Sequence, residues 1–196
     1  MATPFRTGRK AEVLWALPFV VDLAKEVLSE QEYMAAEKTA IDLVRSNQLR
    51  DEAVGRLKAL VAPPPTRPLA DAQDAIVELP RWTRDPVRLL GEYIDLLVRA
   101  WSFEATGDAA AQERSLGTNV RRMEPKKLGA PEDLIDQLKR YSSFLYSPGK
   151  HDFTAAKGQA HRFTAREVVL IAFVTMKLAE RIKEISSAAR LQSLLM

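Results

Sequence analysis

Thr164-Ala-Arg-Glu-Val-Val-Leu-Ile-Ala-Phe-Val-Thr-Met-Lys-Leu-Ala-Glu-Arg-Ile-Lys-Glu-Ile-Ser-Ser187 is the stretch whose reading decides the fold. Thr164 and Glu167 have the spacing of a capping box, in which the threonine oxygen accepts from the third backbone amide and the glutamate reaches back to the cap. Val168, Ile171, Val174, Leu178, Ile182 and Ile185 then recur at helical spacing, and Phe173 and Met176 widen the apolar face. So long a helix with so wide an apolar face needs cover on several sides, which predicts the central helix of a bundle.

The segments before it supply that cover. Pro86 to Thr106 places Val87, Leu90, Ile94, Leu97, Val98 and Trp101 on one stripe, with Asp85-Pro86 as a start signal and Gly107 as a stop. Its other face carries Arg88, Glu92, Asp95 and Arg99 at spacings that pair acid with base, and reads as solvated. Asp108 is placed to cap a helix running to about Met123, in which Gly117 marks a close approach to a neighbour. Pro131 opens a helix with Leu134, Ile135, Leu138, Tyr141 and Leu145.

Further upstream, Ala11 to Ser29 reads as a buried helix kinked by Pro18. Its apolar run, Val13 to Val21, is charged at both ends and too short to cross a bilayer, so neither export nor a membrane is expected. Glu32 to Val61 splits at Ser46-Asn47-Gln48, with Asp51 as the candidate cap of the second piece. The fold expectation is all-α: a helical bundle of about six to eight helices with a long central C-terminal helix. The Ala62-Pro63-Pro64-Pro65-Thr66-Arg67-Pro68 run divides an N-terminal helical segment, 1–62, from a bundle domain, 69–196, with 63–68 as linker; an ordered turn within one compact all-α domain fits equally.

The sequence pI is near 9.2, yet the charge is not spread along the chain. Residues 1–62 hold nine bases and nine acids, and residues 63–146 hold 12 and 13. The excess lies in 147–166, where Lys150, Lys157, Arg162 and Arg166 stand against Asp152 for a formal +3, equal to that of the whole protein. Duplex DNA, which needs a broad basic face, is therefore not expected as a partner. Both histidines, His151 and His161, fall in the same stretch. The chain has no cysteine, which removes disulfides and thiolate chemistry and fits a cytoplasmic location. Two histidines ten positions apart with one aspartate match no usual metal spacing, so no metal and no cofactor are expected.

A basic stretch leading into a helix N-terminus suits an anion, because the first-turn amides and the helix dipole both favour negative charge. Lys150, His151, Asp152, Lys157, His161, Arg162 and Arg166 are the candidate ligand-binding residues. A plain connection whose polar groups cap their own turns is the structural alternative, with Phe153 and Phe163 pinning it to the bundle.

The order of a long amphipathic helix, a shorter one with Ser115-Leu116-Gly117, a helix with Tyr141, a histidine-bearing loop and a long closing helix resembles the HEPN superfamily of helical bundles over about residues 85–187. That resemblance implies a metal-independent ribonuclease of a toxin or antiphage defence system, or an RNA-binding relative, often dimeric. The family signature sets an arginine a few residues before a histidine. Here ten residues lie between Arg140 and His151, and Tyr141 stands where a polar residue usually follows. Under this reading His151 is the acid or base, and Lys150 and Arg140 hold the phosphate.

Three functions follow as expectations. The first is a non-catalytic recognition module that binds a partner protein, such as the product of an adjacent gene, or a phosphate-bearing ligand (RNA or a nucleotide), through 147–166. The second is the ribonuclease. The third is a self-associating domain, a homodimer, for which Leu191, Leu194, Leu195 and Met196 supply apolar surface.

Overall fold

A computed structural model describes residues 16–61, 67–123, 130–146 and 163–190, with the side chains of 144–146 excluded. The helices are α1 (Pro18–Val27), α2 (Glu30–Arg45), α3 (Asn47–Leu60), α4 (Arg67–Ile76), α5 (Arg84–Thr106), α6 (Leu116–Arg122), α7 (Glu132–Arg140) and α8 (Ala165–Ile185). A short 3₁₀ turn, Ala109–Gln112, lies between α5 and α6, and a π-helical turn, Tyr141–Tyr146, continues α7. No strand occurs among the described residues. The chain is an all-helical bundle closed by a long C-terminal helix.

α8 is the centre of that bundle, packed against α1, α2, α3, α5 and α7. Its first half is buried nearly all round, from Val168 to Ala172 without a break, whereas beyond Thr175 only Leu178, Ala179 and Ile182 are buried. The helix is therefore enclosed at its start and open on one side toward its end. α5 is the second axis: 13 of its 23 residues are buried, more than one amphipathic stripe requires, because α8 covers one side and α4 another. Trp101, Tyr93 and Leu90 lie in the core with Ile171 and Val174. Apolar residues of α1, α2 and α3 belong to the same continuous cluster as those of α4 to α8.

Several helix ends differ from the expectation, each for a local reason. Pro18 starts α1 instead of kinking it, since a proline in the first turn has no amide to lose. The preceding amide, Leu17 N, donates to Glu167 Oε1 of α8 at 2.9 Å, which holds this start in place. Ser46, not Asp51, caps α3, accepting from Leu49 N at 3.3 Å. Asp108 caps only the 3₁₀ turn, accepting from Ala110 N at 3.0 Å, and the chain re-enters a helix at Leu116. Asp95 is 4% exposed, not part of a solvated face; Arg99 folds over it at 2.8 Å and also donates to Gln112 O. Other ends match: Gly107 stops α5 at φ 65°, its amide bonded to Phe103 O, and both halves of the Thr164–Glu167 box are made.

Gly117 is a close-approach glycine. A Cβ there would lie 2.8 Å from Ser142 Oγ of the π turn, inside contact distance. Gly117→Ala is therefore expected to lower stability by about 1 kcal/mol, the overpacking cost exceeding the gain in helix propensity. Adding Ser142→Ala should recover it. Urea unfolding of the single and double variants measures both; a stabilised Gly117→Ala would show that the contact relaxes at no cost.

Candidate functional site

Lys150, His151, Asp152, Lys157, His161 and Arg162 lie outside the described residues; what the structure places is the frame on either side of them. On the entry side Tyr141 is fully buried, its hydroxyl 2.7 Å from Thr175 Oγ1 of α8. Thr175 in turn donates to Ile171 O at 2.7 Å, so the tyrosine hydroxyl is the donor of the pair. Burial raises the Tyr141 pKa well above the ordinary tyrosine value, which keeps the group a neutral structural donor. On the exit side Phe163 is buried, and Thr164 N donates to Glu167 Oε2 at 2.8 Å. Glu167 is itself fully buried and joins this cap to Leu17. Phe163 is thus buried at the end of the stretch, while Phe153, expected to pin it as well, lies outside the described residues.

Of the expected site residues, Arg140 and Arg166 are described, and both are engaged by acids of the N-terminal helices. Arg140 Nη2 donates to Glu26 Oε1 of α1. Gln137, 2% exposed, donates to the same oxygen at 3.2 Å and accepts from Arg181 of α8 at 2.6 Å. Arg181 also reaches Asp133 at 2.8 Å. The Arg140 hydrogen bond holds the Glu26 carboxyl below the usual range, and Arg181 does the same for Asp133. Arg166 takes Glu37 of α2 as a fork, Nε 3.1 Å from both carboxylate oxygens and Nη2 2.6 Å from Oε1. That contact raises the Arg166 pKa further and leaves its charge neutralised in place. With Arg166 paired, the rest of the stretch keeps three bases against Asp152.

A second feature was not expected from the sequence. Where α8 opens, a groove of about 680 Å³ runs along it, floored by Leu28, Leu60, Phe173 and Met176 and walled by Lys183 and Arg190. Lys177 on its rim is held between Glu32 at 3.2 Å and Glu180 at 3.0 Å. Lys183 sits 5.4 Å from the centre of the Tyr93 ring, and burial lowers its pKa. The buried Tyr93 hydroxyl has no hydrogen-bond partner among the described residues, and burial pushes its pKa up to about 12. Phe173 and Met176, read from sequence as thickening the apolar face, are half-buried: they pack against the core cluster and also line this groove. The available signal was that they stand beside a stripe already complete in Val174 and Leu178.

Among the described residues no group of His, Asp and Glu side chains is placed to hold a metal ion, and no helix is long and apolar enough to cross a membrane. No family model, no curated protein and no solved structure matches the chain.

Proposed function

We propose that the protein is a non-catalytic helical recognition module whose basic stretch, 147–166, takes a phosphate-bearing ligand such as RNA or a nucleotide, or an acidic surface of a partner protein. The observation that carries this reading is the frame. The described segments on either side of the stretch are both fixed, Tyr141 before it by its anchor on α8 and Thr164 at its end by a capped helix start tied to α1. The pairing of Arg140 supports binding over cleavage. Arg140, which the ribonuclease reading needs as a phosphate clamp, is engaged by Glu26.

The test compares wild type with a Lys150→Ala, Arg162→Ala double variant, titrating short RNAs, nucleotides and the proteins encoded by neighbouring genes. Loss of two charge-assisted contacts should weaken binding by about ten-fold or more. Equal affinity would remove the stretch from the account. Metal-independent RNA cleavage in EDTA, abolished by His151→Ala, would replace the reading with the ribonuclease. A stable dimer that binds none of these ligands would replace it with self-association.

A further inference from the structure

We propose that the groove on α8 binds a small, mainly apolar molecule carrying one carboxylate, of the class of a medium-chain fatty acid, and that Lys183 receives the carboxylate. The site shares no residue with 147–166 and is independent of the reading above. Its build follows from spacing on one helix. Phe173, Met176, Ala179 and Lys183 succeed one another at three and four residues, so one face of α8 runs from apolar groups to a cation. Leu28, just after α1, and Leu60, at the end of α3, complete the floor. Ala179 offers only a methyl group, which leaves the groove its depth between Met176 and Lys183. A volume of about 680 Å³ falls in the range of small-molecule sites, about 300–1,000 Å³.

The two lysines of the rim differ in what already holds them. Lys177 lies between two carboxylates, Glu32 at 3.2 Å and Glu180 at 3.0 Å, so those two acids are engaged. The third acid of the rim, Glu184, is exposed and solvated by water. Lys183 is half-buried, its contact is the Tyr93 ring at 5.4 Å, and among the described residues no carboxylate is paired with it. A ring face restores less of the lost hydration of an ammonium than a carboxylate does. An ammonium set in an apolar wall without a counter-ion is complementary to an anion that brings an apolar body with it. The floor favours that body over a bare inorganic ion, because burying it removes apolar surface from water.

Calorimetric titration of the full chain with hexanoate, octanoate and decanoate, each below micelle formation, tests the site, with octanol as the neutral arm and octylammonium as the cationic one. Binding should be one to one and should tighten by about two- to four-fold per added methylene. Octanoate should bind about ten-fold or more tighter than octanol, as a charge-assisted contact requires. In Lys183→Met that preference should vanish while octanol still binds, and in Lys183→Arg it should persist. Each preference is a ratio measured within one protein, so a change in stability does not imitate it, and Lys183→Gln replaces the methionine variant if that one folds poorly. An octanoate preference unchanged without Lys183 would overturn the proposal. Octylammonium bound as tightly as octanoate, or no saturable binding of any of these probes, would do so as well.

Discussion

Glu167→Ala is expected to destabilise the protein by about 2–4 kcal/mol, although it removes a charged group. The carboxylate is fully buried and serves two elements at once: Oε2 accepts from Thr164 N at 2.8 Å and Oε1 from Leu17 N at 2.9 Å. Truncation leaves both amides without their acceptor, at about 1–3 kcal/mol for each group that stays buried, and removes half of the capping box. Glu167→Gln, which keeps one carbonyl oxygen, should fall between wild type and alanine. Glu180→Ala, exposed on the same helix, should lie within about 0.5 kcal/mol of wild type. Denaturant unfolding gives the ranking. Amide exchange adds a specific readout, because Leu17 should exchange faster in Glu167→Ala even under conditions where the rest of the fold is intact. Unchanged exchange at Leu17 would mean that the link between α1 and α8 does not hold the amide.

The second large effect is Trp101→Ala, expected to cost about 3–5 kcal/mol, the usual range for deleting a buried tryptophan. Trp101 is 2% exposed on α5, among the largest side chains in the core, and its neighbours belong to helices fixed elsewhere by caps and ion pairs. They are poorly placed to collapse into the void. For a domain of this size the loss corresponds to a fall of about 10 °C or more in melting temperature. Against a total stability of about 5–15 kcal/mol it takes a large share. Trp82, 59% exposed, is the matched control, and Trp82→Ala should leave the melting temperature nearly unchanged. Similar shifts for the two would contradict the placement of Trp101.

What could be read from the chain depended on how far apart the interacting residues lie. The capping box at Thr164 and the stop at Gly107 are settled within five residues, and both are present. Gly117 was legible as a close approach, though its neighbour Ser142 was not. Pro18 was ambiguous because proline fits either a kink or a first turn. What decides it is a hydrogen bond from Leu17 to a residue 150 positions away. The same holds at the candidate site. The basic excess of 147–166 is a local count, but Glu37, which pairs with Arg166 of that stretch, sits 129 positions away, and Glu26, which pairs with Arg140 before it, sits 114 positions away. The groove was illegible for a different reason. Helical spacing shows that Phe173 and Met176 lean toward one side of α8; it does not show that neighbouring helices stop short of covering them.

The position of α8 in the chain also sets the order in which the protein is completed. Among the described residues, every helix it packs against precedes it. During synthesis the apolar faces of α1, α2 and α5 therefore leave the ribosome before the helix that buries them exists. They must be shielded by one another or by chaperones until Thr164 to Ile185 has emerged, so the native arrangement is reached only after that helix has been made. A reader of this sequence would look for the vulnerability of the nascent chain in that interval.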